Sequence, residues 1–412
     1  MIRLILVLIG LFAASAAGAQ RRDGASHPSV MNTAPAEHEE RRILVMLRMA
    51  PEHFRPSSDY GGAGGYGDPA AALARRRIAT RIARDNHLTL VDSWPMPILG
   101  IDCVIMQVPG DEPAKTVADR LSHDRRVAWS QPLNAFEAQG ASSAKGVPND
   151  RLFAAQPSAR QWRLAALHRV ATGRGVRVAV IDSLVDAGHP DLKGQLIAVR
   201  DFVGRDSLSA ESHGTGVAGI IAAAANNTVG IAGVAPGARL LALRACWQQS
   251  QATTRCDTLS LARALVFALE SNAHVINMSL TGPQDQLVAR LIQIALRRGV
   301  SVVAAADPGS GRGFPASLPG VIAVARDDLA GARSGVYSAP GRDVPTTEAG
   351  GGWNLVDGNS FAAAHVSGLL ALAGQVGGDR GRRALTTGRA GGSVDACTTL
   401  LRAGAKIGAR CD

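Results

Sequence analysis

The sequence predicts an α/β protein whose parallel sheet carries helices on both faces. From residue 177 onward, short apolar segments rich in β-branched residues alternate with longer segments of helical pattern, as in βαβ units. Glycine and alanine are abundant and aromatic residues make up only 4% of the chain, which suits close packing of helices on a sheet. Strands are expected at 177–181, 239–244, 273–278, 300–305 and 321–324, and helices at 213–225, 258–271, 284–297 and 360–375.

A smaller α+β domain is expected upstream, at residues 42–138. Strand patterns at 42–47, 88–94, 101–108 and 126–136 enclose helical patterns at 69–86 and 113–123. This βαββαβ order is that of a ferredoxin-like domain. Residues 139–150 are rich in Gly, Ser and Ala, and they form a linker to the larger unit, residues 151–412.

The first residues predict export. Arg3 precedes an apolar run at 4–12, and Ala17, Gly18 and Ala19 supply the small residues of a signal-peptidase site. Residues 1–19 are therefore expected to be a signal peptide, followed by a polar, mobile segment at 20–41. The alternative is a retained anchor, but the run is shorter than the ~20 residues that span a bilayer. A secreted or periplasmic protein with no stable membrane anchor is expected.

The net charge of +10 and the isoelectric point near 10.1 would permit contact with nucleic acid. The excess comes from scattered arginines, and no block of Lys and Arg alternates with aromatic residues. A nucleic-acid partner is therefore not expected. A nucleotide-binding domain is also disfavoured, because no strand is followed by a glycine-rich phosphate loop.

Three short segments, far apart in the chain, each carry one group of a nucleophilic triad. Asp182 ends a strand pattern, His213 opens a helical segment of small residues, and Ser360 opens an apolar helix. A serine hydroxyl becomes a good nucleophile when a histidine takes its proton, and the imidazole needs a carboxylate to fix its tautomer. Taken singly, the three residues have plainer explanations as a strand end, a turn residue and a helix N-cap. Together they predict a serine nucleophile.

The segments around these residues resemble those of the subtilisin-like serine proteases. The resemblance covers residues 161–373 and includes the segments 189–192, 226–236 and 275–280. The chain order Asp, His, Ser is also that of this family. The resemblance implies a subtilisin-like fold in which Asp182 orients the histidine, His213 is the general base and Ser360 is the nucleophile.

The resemblance also implies roles for other segments. The domain at 42–138 looks like a prodomain that assists folding and inhibits the enzyme intramolecularly, although an unrelated domain of the same topology is an alternative. The linker is then the expected site of maturation cleavage. An edge that pairs with the extended backbone of a polypeptide substrate would be formed by Ser279, Leu280, Thr281 and Gly282.

A calcium site is implied by the resemblance alone. Its ligands would be the side chains of Asp191 and Asn227 and the carbonyls of Ala225, Val229 and Ile231. Several oxygen ligands, carbonyls among them, suit calcium. The alternative is a simple turn at Asn226 and Asn227, with an ion pair at Asp191.

One region departs from the family pattern. Where the family has an oxyanion-binding asparagine, this chain has Asp307 or Pro308, depending on a one-residue gap, and neither is a neutral amide donor. Losing one such donor typically costs about 10²–10³ in turnover. Two replacements are hypothesised, the side-chain amide of Asn359 and a protonated Asp307. The backbone amide of Ser360 is expected to contribute as well.

Five cysteines agree with an oxidising destination. The spacing suggests local disulfides between Cys246 and Cys256 and between Cys397 and Cys411, although four cysteines allow three pairings. Cys103 lies in an apolar, strand-like segment and is expected to be a buried free thiol.

The sequence therefore predicts an exported serine endopeptidase that hydrolyses polypeptides through an acyl-enzyme intermediate. The alternative is a catalytically impaired homologue that keeps the triad but binds peptides without efficient cleavage. The substitutions at Asp307 and Pro308 favour this alternative.

Overall fold

The structure is a computed structural model that describes residues 41–48, 69–138, 141–143, 152–204, 209–250, 253–309, 311–327, 335–388 and 392–406. The expected signal peptide, residues 20–40, most of the linker and Cys411 lie outside these ranges. The expectations that concern them stay predictions.

The N-terminal unit has the element order βαββαβ. Its elements are β1 (Arg42–Arg48), α1 (Pro69–Asp85), β2 (Thr89–Met96), β3 (Ile101–Gln107), α2 (Ala114–Leu121) and β4 (Val127–Pro132). The strands form an antiparallel sheet in the order β2-β3-β1-β4. Strand β1 is buried on both faces, because Ile43 and Val45 pack towards α1 and α2 while Leu44 and Met46 pack towards the larger unit.

The remaining elements follow in chain order. The strands are β5 (Ala135–Ala138), β6 (Ala141–Ser143), β7 (Arg177–Asp182), β8 (Leu196–Asp201), β9 (Arg239–Arg244), β10 (Cys246–Ser250), β11 (Thr253–Asp257), β12 (Val275–Met278), β13 (Leu280–Thr281), β14 (Ser301–Ala305), β15 (Ile322–Arg326), β16 (Val336–Ala339), β17 (Val344–Glu348) and β18 (Gly352–Asp357). The helices are α3 (Pro157–Gln161), α4 (Leu164–His168), α5 (Ser212–Ala222), α6 (Thr258–Glu270), α7 (Gln286–Arg297), α8 (Asn359–Arg382) and α9 (Ala396–Ala403).

The predicted α/β class is confirmed by a seven-stranded sheet in the order β16-β15-β14-β12-β7-β9-β8. All its pairings are parallel. In β7, Val178 and Val180 face the layer of α5 and α8, whereas Ala179 and Ile181 face α6 and α7. Because both faces are covered, the strands are apolar throughout rather than alternating.

The helices that cover the sheet begin at defined caps. The Asp257 side chain accepts a hydrogen bond from Ser260 N (2.9 Å) at the start of α6, and that of Asp285 accepts one from Val288 N (3.0 Å) at the start of α7. Helix α8 runs to Arg382, beyond the predicted end at residue 375, with a kink at Gly378. By length and composition α8 could cross a membrane. However, 78% of its most apolar 18-residue stretch is buried in the protein, as expected of a core helix.

The N-terminal unit docks on the first turns of α6 and α7. The Arg290 guanidinium lies 4.2 Å from the centroid of the Trp129 ring, and Leu287 N donates to Gln131 Oε1 (3.1 Å). Between β4 and β5, Asn134 N donates to Thr258 Oγ1 and Thr258 N donates to Asn134 O, each at 2.9 Å. The prediction of one strand at 126–136 is wrong, because these bonds end β4 at Pro132 and begin β5 at Ala135.

The structure joins Cys246 to Cys256, which face each other across the β10-β11 hairpin. Cys397 is also disulfide-bonded, and its expected partner Cys411 is outside the described residues. Cys103 is a buried free thiol, as predicted. Burial raises the pKa of this thiol, so Cys103 stays protonated and unreactive.

Candidate active site

Asp182 and His213 meet at the carboxyl edge of the parallel sheet. Strand β7 ends at Asp182, and the first turn of α5 carries His213, so that Asp182 Oδ1 lies 2.7 Å from His213 Nδ1. Both side chains are nearly buried, at 2% and 8% exposure. Ser183 N also donates to Asp182 Oδ1 (2.7 Å), which fixes the carboxylate. The carboxylate therefore holds the imidazole with Nε2 directed away from Asp182.

Gly214 makes this approach possible. A Cβ on Gly214 would lie 2.3 Å from the carbonyl oxygen of Ser183, so any side chain would push α5 away from the end of β7. Gly214 N donates to Ser183 Oγ (2.9 Å), which ties the helix to the strand. The glycine after His213 is thus needed for the contact with Asp182.

Ser360 lies at the start of α8 within a buried polar network. Its hydroxyl donates to Ser279 O (3.1 Å), and Ser279 Oγ donates back to Ser360 O (2.9 Å). Asn277 Nδ2 donates to Ser279 Oγ (2.9 Å), and Ser367 Oγ donates to Asn277 Oδ1 (2.8 Å). All four residues are fully buried. The network therefore fixes the backbone on both sides of the nucleophile position.

His213 lies near the start of α8, because the centroid of its ring is 5.6 Å from that of Phe361, the residue after Ser360. The histidine of α8, His365, is fully buried, and its Nδ1 lies 2.8 Å from Phe361 O. Burial lowers the pKa of His365 to about 4. This imidazole is therefore neutral at pH 7 and is part of the protein interior.

The two hypothesised oxyanion donors are engaged with the backbone. Asn359 Nδ2 donates to Ala306 O (2.6 Å), and Arg326 N donates to Asn359 Oδ1 (2.9 Å). The carboxylate of Asp307 accepts from Gly309 N (2.9 Å) within the turn that follows β14. The structure thus gives Asn359 a bridging role between β14 and β15. Ser360 N lies in the first turn of α8, at the positive end of the helix dipole.

Strand β5 lies in a cleft beside Ser279. It is antiparallel to β11 on one side and to β13 on the other, in a sheet of order β10-β11-β5-β13. Of the four residues predicted to form the substrate edge, Leu280 and Thr281 pair with Ala138 and Glu137. The other two residues make different contacts. Ser279 is hydrogen-bonded to Ser360, and Gly282 N donates to Phe314 O (2.9 Å). On the far side of Ser360, β6 pairs with β18, with Ala141 opposite Asp357.

The residues expected to bind calcium do not fit the ion. The carboxylate of Asp191 is fully buried and accepts three N–H bonds, from Asn227 Nδ2 (2.7 Å), Ile231 N (2.9 Å) and Trp353 Nε1 (2.7 Å). An indole N–H only donates, so it cannot be turned into a metal ligand. A Cβ on Gly230 would lie 2.0 Å from Trp353 Nε1, which shows how closely the indole is packed. Within the described ranges, no group of three or more His, Cys, Asp or Glu residues could hold a metal.

We expect Trp353→Phe to lower the free energy of unfolding by about 1–3 kcal/mol, because a buried carboxylate oxygen loses a donor. Urea denaturation measures this change. EDTA is expected to leave the melting temperature of the unsubstituted protein unchanged. A melting temperature that rises with added CaCl₂ and falls with EDTA would contradict this account of Asp191.

Sequence reasoning missed two supporting residues, Asn277 and Trp353. Asn277 is a polar residue inside the apolar strand β12, and that interruption was a signal. Trp353 gave no comparable signal, because its partner Asp191 lies 162 residues away.

A parallel α/β sheet with a carboxylate–imidazole pair and a helix-terminal serine at its carboxyl edge defines a serine hydrolase. The subtilase family profile matches residues 173–383. The chain therefore belongs to the subtilase family of subtilisin-like serine endopeptidases.

Several known proteins are similar to this chain. A thermophilic serine proteinase of Bacillus sp. (strain AK1) is 40% identical over 273 residues, which are 63% of this chain and 66% of the relative. Thermitase of Thermoactinomyces vulgaris is 32% identical over 239 residues, 55% of this chain and 84% of the relative. Fervidolysin from Fervidobacterium pennivorans is similar in fold, with a TM-score of 0.65 at 23% identity, over 88% of this chain and 61% of fervidolysin.

Proposed function

We propose that Asp182, His213 and Ser360 hydrolyse peptide bonds as a catalytic triad. The observation that carries this proposal is the 2.7 Å contact between Asp182 Oδ1 and His213 Nδ1 beside the N-terminus of α8. Because Nδ1–H donates to Asp182, the neutral imidazole of His213 carries no proton on Nε2, and this nitrogen acts as the base. The Ser360 hydroxyl turns from Ser279 O to His213 and gives up its proton as Oγ bonds the scissile carbonyl carbon.

His213 then returns that proton to the leaving nitrogen as the C–N bond breaks. Water repeats the sequence on the acyl-enzyme and releases the carboxylate product. Ser360 N is the proposed donor to the oxyanion, supported by its place at the start of α8. With both Asn359 and Asp307 bonded to the backbone, we expect turnover below that of a site with a second amide donor.

We also propose that the N-terminal unit is a prodomain that inhibits the enzyme. The support is β5, which follows this unit directly and fills the cleft between β11 and β13 as an extended substrate would. Ala138 pairs with the residue after Ser279, and Ala141 pairs with a residue three positions before Ser360. The peptide bonds from Ala138 to Ala141 are therefore the proposed maturation sites.

Intact-mass analysis and N-terminal sequencing of the purified full chain test this proposal. We expect a mature chain that begins at residue 139, 140 or 141, and a released fragment that co-purifies with it. A mature N-terminus elsewhere, with the bonds from 138 to 141 intact, would contradict it. The predicted signal peptide supports the further proposal that this maturation follows export to the periplasm or medium.

A second candidate is a peptide-binding homologue with little hydrolytic activity. It is favoured by the absence of an amide side chain at Asp307 and Pro308 and by the bridging role of Asn359. This candidate predicts tight binding of the segment around β5 without its cleavage.

A further inference from the structure

One row of residues crosses the four-stranded sheet β10-β11-β5-β13, and the proposed function assigns no role to the side chains of this row. Trp247 on β10 is opposite Arg255 on β11, which is opposite Glu137 on β5, which is opposite Thr281 on β13. Residues directly opposite one another in neighbouring strands lie on the same face of the sheet. The prosegment therefore places an acidic residue opposite an arginine.

The two faces of this sheet differ in burial. The rows on either side of Arg255 contain Cys256 and Thr254, which are 0% and 5% exposed and point to the opposite face. Trp247 and Arg255 are half-buried. The row with Arg255 is thus the partly solvated face of the cleft, where a charge can be paired without complete desolvation.

We propose that Arg255 selects an acidic side chain at the substrate position that Glu137 holds in this structure. The inference rests on the proposed function, in which a substrate strand replaces β5 after maturation. The guanidinium is charged at every relevant pH, so it attracts Glu or Asp and repels Lys or Arg at that position. The substrate class is an extended polypeptide with an acidic residue opposite Thr281.

Position 135, two residues before Glu137 on the same strand, provides a comparison for the charge preference. Asp257 is on the same face as Arg255, two residues further along β11, and lies opposite Ala135. Its carboxylate caps α6 through Ser260 N. An acidic residue at position 135 would therefore meet a like charge and is expected to be disfavoured.

Peptides with the sequence of residues 134–143 test the inference, with Glu137 kept or replaced by Gln or Lys. For the matured enzyme we expect kcat/KM to be about two- to fivefold higher for the Glu peptide than for the Gln peptide, and lowest for the Lys peptide. The preference should shrink between about 0.1 M and about 1 M salt, because the Debye length falls. A peptide with Gln at 137 and Glu at 135 should gain nothing.

Arg255→Gln is expected to remove the difference between the Glu and Gln peptides. Arg255→Glu is expected to prefer the Lys peptide. Equal cleavage of all peptides, or a preference for Glu that survives in Arg255→Gln, would overturn the inference and leave the proposed function intact. If no peptide is cleaved by the unsubstituted chain, the proposed function itself fails.

Discussion

Ser360→Ala is expected to lower kcat by about 10⁶, because the nucleophile is lost and the His213 base has no proton to accept. The variant should also keep the bonds between Ala138 and Ala141 intact. The measurement is hydrolysis of the 134–143 peptide, together with the intact mass of the purified chain.

The matched control for this variant is Ser367→Ala, another fully buried serine of α8. Ser367 donates to Asn277 Oδ1 and not to the reacting atoms, so its loss should reduce stability and should slow processing far less than the loss of Ser360. A Ser360→Ala chain that still matures in purified form, at a rate independent of chain concentration, would remove Ser360 from the nucleophile role.

Asp182→Asn is expected to lower kcat by about 10⁴ with little change in KM. An amide that presents its N–H₂ group to His213 Nδ1 makes that nitrogen an acceptor, so the imidazole carries its proton on Nε2 and cannot accept one from Ser360. Steady-state hydrolysis of the same peptide measures the loss.

The comparison variant is Asp201→Asn, since Asp201 pairs with Arg244 (3.1 Å), outside the triad. It should retain activity within about threefold, as expected for loss of a modest ion pair. A fall of less than tenfold for Asp182→Asn would show that the contact with His213 does not set the tautomer.

Five of the seven strands of the central sheet, and the helices that cover it, could be predicted because their residues carry a local signal. The apolar run that ends in Asp182 is a local pattern. So are the starts of α6 and α7, where Ser260 N donates to Asp257 and Val288 N donates to Asp285. The proposal of Asp182, His213 and Ser360 as a triad follows from their chemistry and their order in the chain.

The cleft could not be predicted in the same way. Strand β5 is defined by pairing with β11 and β13, more than a hundred residues away, and by the contact of Asn134 with Thr258. The hydrogen bond to Asp191 could not be predicted for a similar reason, because the indole of Trp353 reaches Asp191 from a distant hairpin. Such pairings leave no trace in local periodicity.

The most direct test of the triad is covalent labelling of the matured chain by a fluorophosphonate, followed by mass mapping of the adduct. This reagent reacts with an activated serine hydroxyl and spares an ordinary one. The account predicts one adduct, on Ser360, that forms in the unsubstituted protein and not in Ser360→Ala or His213→Ala. A folded, matured chain that takes up no label at Ser360 would contradict it.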